Sequence, residues 1–97
     1  MLLKGGKVMV SSKVVIHNPT GLHLRPAGLL CQEAMNFKSQ ISFKVKDNTA
    51  NAKSVLSVLG ACVKSGDEIE LICEGEDEEE ALKTLVQVIS DGLGEKF

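Results

Sequence analysis

Gln40-Ile41-Ser42-Phe43-Lys44-Val45-Lys46 places Ile41, Phe43 and Val45 on one side and Ser42, Lys44 and Lys46 on the other. That is the period of a strand with one buried and one wet face, as in an antiparallel sheet covered on one side. Working outward, Asp47-Asn48 turns the chain into a short strand at 49–52. Ser54 follows at a helix start, where a hydroxyl caps free N–H groups. That helix is expected to reach residue 62 or 63. Its apolar residues Val55, Leu56, Val58, Leu59, Cys62 and Val63 are too many for one buried face, so Leu56 and Leu59 are expected to stay exposed. Ser65-Gly66-Asp67 is a turn, and 68–74 alternates again with Ile69, Leu71 and Cys73 inward. The last helix is expected over 77–91, with Leu82, Leu85, Val86, Ile89 and Leu93 as its stripe, closed by Gly92 and Gly94. Its opening run Asp77-Glu78-Glu79-Glu80 reads as a solvated helix start suited to the dipole.

Toward the N-terminus, residues 25–37 carry Ala27, Leu30, Cys31 and Ala34 at helical spacing, with Met35 alongside. Residues 13–17 alternate as a strand, with Val14 and Ile16 sharing a face, and His17 reads as an ordinary strand-end residue. Asn18-Pro19-Thr20-Gly21 is a turn signal. The order is therefore β-α-β-β-α-β-α. One-sided strands and one-sided helices give an α+β domain, an antiparallel sheet with helices on one face.

The 97 residues suffice for one small domain, and 43% hydrophobic with 25% charged residues supports a modest core. Without Trp or Tyr, and with three Phe, that core must be mainly aliphatic. A formal charge of −2 without a basic cluster gives no footprint for nucleic acid or an acidic membrane surface. No apolar run is long enough to insert into a membrane as a spanning helix, and a cytoplasmic location is expected. Cys31, Cys62 and Cys73 are far apart and sit in apolar patterns, so they are expected to be three reduced, buried thiols rather than a metal site. Residues 1–10 are expected to be an N-terminal extension and 11–97 the domain. Lys4-Gly5-Gly6 fits a purine-rich coding run spaced like a ribosome-binding sequence ahead of Met9. Residues 1–8 are thus expected to be translated leader, which a native mass containing Lys4-Gly5-Gly6 would sink.

The chemistry concentrates in Gly21-Leu22-His23-Leu24-Arg25-Pro26-Ala27-Gly28. His23 stands at the mouth of a helix whose first turn tolerates Pro26. The free N–H groups and positive end of a helix favour an anion there. Arg25 adds a planar, permanently charged fork that matches phosphate oxygens. A phosphoryl group on imidazole nitrogen keeps a high transfer potential, whereas a serine ester would be too stable to pass on. Ala27 and Gly28 keep the first turn small, so a partner can approach closely.

Gly-Leu-His-x-Arg-Pro-Ala, with Asn51-Ala52-Lys53-Ser54-Val55-Leu56 and Ser65-Gly66-Asp67-Glu68-Ile69 further on, resembles the phosphocarrier HPr family of the bacterial phosphoenolpyruvate-dependent sugar phosphotransferase system. The resemblance covers about residues 11–92. It implies an open-faced β-sandwich of four antiparallel strands with three helices, and a covalent phosphoryl carrier rather than an enzyme, without a cofactor or metal. It implies that His23 is phosphorylated on Nδ1 by enzyme I and passes the group to the A domain of a sugar-specific enzyme II, with Arg25 assisting. Ser54 would match the serine that an HPr kinase/phosphorylase modifies in Gram-positive relatives, which favours binding to a catabolite-control repressor. Leu24, Gly28, Val55, Leu56 and Leu59 are the expected partner-binding residues, and a monomer is expected. Leu24 and Thr20 depart from the family, whose residues there are often Ala or Thr and Asn, Asp or Ser.

Two other readings share these residues. One is a purely regulatory HPr-like binding module acting through Ser54 and the second helix, although modules of that sort tend to lose the histidine that this sequence keeps. The other is a carrier for a nitrogen-related or dihydroxyacetone phosphotransferase system, with the same chemistry and other partners.

Overall fold

The computed structural model describes residues 9–95; the expected leader at 1–8 lies outside them. The elements are β1 (Val10–Val15), α1 (Leu24–Ala34), β2 (Gln40–Val45), β3 (Asn48–Asn51), α2 (Val55–Gly60), β4 (Glu68–Glu74) and α3 (Glu78–Ser90). The four strands form one sheet in the order β1-β4-β2-β3, every neighbouring pair antiparallel. The α+β order expected from the alternation is the one observed.

Register follows from the pleat. Phe43 lies opposite Leu71 on β4 and Ala50 on β3, and all three are buried. The adjacent row on the open face sets Lys13 and Lys44 on either side of Glu70, opposite charges in cross-strand positions that favour this pairing. A slip of one residue would send Ile41, Phe43 and Val45 to the wet face.

The core is aliphatic around one fully buried aromatic ring. Ile16, Leu30, Ile69, Leu71, Leu85, Ile89 and Leu93 are buried in one cluster with Phe43. α1 turns Ala27, Leu30, Cys31 and Ala34 inward as its spacing predicts. The line buried by α3 is Glu78, Ala81, Leu85 and Ile89, while Leu82 and Val86 are only half-buried at its side.

Several boundaries differ from the sequence reading. β1 starts at Val10, paired with Cys73, three residues earlier than the alternation suggests. α1 ends at Ala34, leaving Met35 as an exposed C-cap rather than a core residue. α2 stops at Gly60, because Cys62 adopts a left-handed φ of 55° that no helix continues through. Cys62 is consequently exposed, which corrects the expectation of three buried thiols; Cys31 and Cys73 are buried. Burial, then the Glu78 and Asp77 charges, push the Cys73 thiol up to about 11.

The acidic start of α3 is more than a solvated cap. Asp77 accepts hydrogen bonds from Lys38 N (2.8 Å), Ser39 N (2.9 Å) and the Ser39 hydroxyl, pinning the α1–β2 turn. Glu78 is buried and accepts from Gly75 N at 3.0 Å. His17 is also more than a strand end: its Nε2 donates to Ser90 O at 3.0 Å, tying the end of β1 to the last turn of α3.

Candidate functional site

His23 is the N-cap residue of α1, in extended conformation, and its side chain makes no capping hydrogen bond. Its carbonyl accepts from Ala27 N at 2.8 Å, the first bond of the helix. Pro26 has no N–H, so the backbone donors left open in the first turn are those of Leu24 and Arg25. They stand beside an exposed imidazole and an exposed guanidinium. Arg25 joins no ion pair among the described residues. Two unbound N–H groups, a helix N-terminus and an exposed guanidinium fork can neutralise a phosphoryl group without enclosing it.

The loop before His23 is held on two sides. Gly21 has a φ of 67°, and a Cβ there would lie 2.6 Å from Val63 O and 2.8 Å from Lys64 Cα, so only glycine fits. Leu22 N donates to Val63 O at 3.0 Å. On the other side Asn18 and Thr20 donate to the carboxylate of Glu95.

Leu22, His23, Leu24, Leu59, Cys62, Val63 and Lys64 line an open cleft of about 280 Å³. It brings together three of the expected residues: His23, Leu24 and Leu59. Leu24 is 69% exposed on its rim, while Leu59 is half-buried against the core rather than exposed as expected. Leu56 is 82% exposed and Val55 half-buried. Gly28 is half-buried, and a Cβ there would meet nothing within 4 Å.

Ser54 does not line this cleft. It caps α2, accepting from Ser57 N at 3.2 Å. Ser57 Oγ in turn accepts from Asn51 N (2.9 Å), and Asn51 Oδ1 accepts from Lys53 N (2.9 Å). Lys53 Nζ donates to Phe37 O at 2.7 Å, joining this helix mouth to the end of α1.

Sequence reasoning missed Cys62, Lys64 and Glu95. Cys62 looked like a helical core position, and no pattern marked the break after Gly60. Gly92 and Gly94 were legible as a helix stop, but the reversal that returns Glu95 to the His23 loop was not. No group of three or more His, Cys, Asp or Glu that could hold a metal occurs among the described residues. No helix among them is long and apolar enough to cross a membrane.

The chain matches the family described as the PTS HPr component phosphorylation site over residues 10–91. It is 40% identical over 83 residues to the HPr-like protein Crh of Bacillus subtilis strain 168, covering 86% of this chain and 98% of that protein. It is 35% identical over 83 residues to the phosphocarrier protein HPr of Lysinibacillus sphaericus, covering 86% and 94%. The crystal structure of HPr-C-His from Thermoanaerobacter tengcongensis superposes with a TM-score of 0.87 at 41% identity, covering 91% of this chain and 99% of the other.

Proposed function

The chain belongs to the HPr family of the bacterial phosphotransferase system, carriers of phosphoryl groups rather than catalysts, and on that premise we propose that His23 is its phosphorylated residue. In this reading enzyme I delivers a phosphoenolpyruvate-derived group to Nδ1 of His23, and the A domain of a sugar-specific enzyme II removes it. The observation that carries the reading is an exposed imidazole at the mouth of α1 with no capping duty of its own. A ring free of structural work can be loaded and unloaded without disturbing the helix behind it.

Transfer of this kind depends on positioning and charge. The N–H groups of Leu24 and Arg25, open at the helix start, and the exposed Arg25 guanidinium are the donors that the phosphoryl oxygens would use in this reading. Exposed Leu24 and half-buried Leu59 line the cleft beside His23, and Leu56 stands exposed on α2; together they suit a partner that must reach the same nitrogen as donor or acceptor. We take the carrier to act as a monomer, since His23, Leu24 and Arg25 stand together at the mouth of one helix.

A regulatory role at Ser54 is the second reading, favoured by the similarity to Crh. In it, an HPr kinase/phosphorylase esterifies Ser54 and the modified surface binds a catabolite-control repressor. A phosphate at this helix start could still accept from Ser57 N, while its charge would stand beside exposed Leu56. The test is incubation with phosphoenolpyruvate, magnesium and enzyme I, followed by intact mass and acid treatment. One acid-labile phosphate, lost in His23→Ala, is the expected result. An acid-stable phosphate on Ser54 from ATP and the kinase, with none on His23, would move the assignment to the regulatory module.

A further inference from the structure

Among the described residues, the carboxylate of Glu95 joins the loop that ends in His23 to the chain beyond α3. Glu95 Oε1 accepts from Asn18 Nδ2 (2.9 Å), Thr20 N (3.1 Å) and Thr20 Oγ1 (2.9 Å), and Oε2 lies 2.8 Å from the same hydroxyl. Asn18 is fully buried, and its Nδ2 also donates to Gly21 O at 2.8 Å. One amide therefore links the carboxylate to the glycine turn two residues before His23. Asn18 Oδ1 has no partner among the described residues, so the amide is held there by its donors alone.

The other side of the link is equally specific. Gly92, Leu93 and Gly94 have φ values of 94°, 51° and 82°. Three successive left-handed residues reverse the chain after α3, and a non-glycine residue among them costs about 1–2 kcal/mol. Leu93 is 1% exposed and anchors the reversal in the core. Glu95 N closes it by donating to Gly92 O at 2.9 Å. A conformation that unfavourable, anchored that firmly, delivers one carboxylate to one loop. The bonds from Asn18 and Thr20, and then the nearby His23 ring, hold the Glu95 carboxyl below the usual range.

We infer that Glu95 is a positioning residue for phosphoryl transfer at His23, acting through Thr20 and Asn18 to fix the loop that carries the ring. The inference rests on the carrier reading of His23. The ring makes no capping bond of its own, so its place is set by the backbone from Asn18 to Leu22. Val63 holds that backbone on one side and Glu95 on the other. With Glu95 gone, one side is released. Docking should survive, because Leu24 and Leu56 are untouched. The loss should therefore fall on kcat and not on KM.

The experiment compares Glu95→Ala, Glu95→Gln, Thr20→Val and the Thr20→Val/Glu95→Ala pair with the full chain, in phosphorylation by enzyme I and phosphoenolpyruvate. Ring proton spectra of His23 are recorded without any enzyme. Glu95→Ala should lower kcat about tenfold at unchanged KM, against the roughly hundredfold that an ångström of misplacement can cost. Glu95→Gln, which keeps an acceptor oxygen for Thr20, should recover part of the loss. The pair should be no slower than Glu95→Ala alone, since both changes cut the same link. The His23 ring signals should shift in Glu95→Ala. Unshifted ring signals, wild-type kcat in Glu95→Ala, a loss confined to KM, or fully additive effects would each overturn the inference. A wild-type chain that takes no phosphate from active enzyme I would overturn the carrier reading itself, which the ring spectra do not touch.

Discussion

The two helix mouths that carry His23 and Ser54 are built differently. Ser54 spends its side chain on the fold, capping α2 at 3.2 Å within a network through Ser57, Asn51 and Lys53. His23 occupies the same N-cap position on α1 and spends nothing. α1 can manage without a side-chain cap because Pro26 presets its first turn and removes one donor that would need satisfying. On the carrier reading, His23 must be loaded and emptied at every turnover and is best left out of the structural hydrogen bonds. A residue modified slowly, as a switch, can serve both purposes.

The largest expected effect tests that contrast directly. His23→Ala should abolish phosphate acceptance from enzyme I while keeping stability within about 0.5 kcal/mol of wild type, measured by urea unfolding. Ser54→Ala should do the reverse, costing about 1 kcal/mol and leaving acceptance intact. Unfolding of His23→Ala would show that the ring has a structural duty after all, and the contrast would fail.

A smaller effect is expected from Ser54→Asp. The carboxylate can still accept from Ser57 N, so the cap and the stability should persist. The added charge would lie beside Leu56, 82% exposed, and should slow phosphorylation by enzyme I several-fold through a higher KM. Unchanged kinetics would leave Ser54 a cap and nothing more.

The contrast was partly legible in sequence. Alternation in 40–46 and 68–74 announced the sheet, because a one-sided strand writes its burial directly into every second residue. The His23 motif was legible because Pro and Gly mark a helix entrance by local backbone chemistry. What sequence could not show depended on distant backbone. The left-handed turn at Cys62 hides among apolar residues that continue the helical pattern, so neither its exposure nor its place in the His23 cleft was visible. Asp77 reads in sequence as part of a solvated helix start, and no pattern marks Glu95. Their work consists of hydrogen bonds across 38 to 77 positions of chain, which no local pattern records.

Gly28→Ala separates helix stability from docking at the His23 mouth. A Cβ at Gly28 would meet nothing within 4 Å, so alanine should stabilise α1 by about 0.5–1 kcal/mol. If a partner approaches this turn closely, transfer should nevertheless slow modestly. A variant that is more stable and equally fast would remove Gly28 from the docking surface. Ser54→Ala offers no such separation, because there the side chain proposed as the switch is also the cap.

The smallest effect concerns what holds the two mouths in place. The His23 loop is tied to Glu95, just beyond the end of α3. The Ser54 mouth is tied through Lys53 to Phe37 O, next to the Lys38-Ser39 backbone that Asp77 binds at the start of α3. Both carboxyls are held below their usual range: Asp77 first by the Ser39 hydroxyl and then by Lys38 N, Glu95 first by Asn18 and then by Thr20. A native value below the unfolded one means that each contributes stability above the ordinary carboxylate range, and that this contribution is lost as pH falls through the lowered native value. Acidification should therefore loosen both mouths while the sheet persists, read as faster amide exchange at Thr20, Lys38 and Ser39 than the chemical pH dependence of exchange predicts. In Asp77→Asn the acid-dependent part should vanish at Lys38 and Ser39 and remain at Thr20. Loss at all three amides would mean that the two mouths open as one unit, and that α3 couples the sites its ends hold.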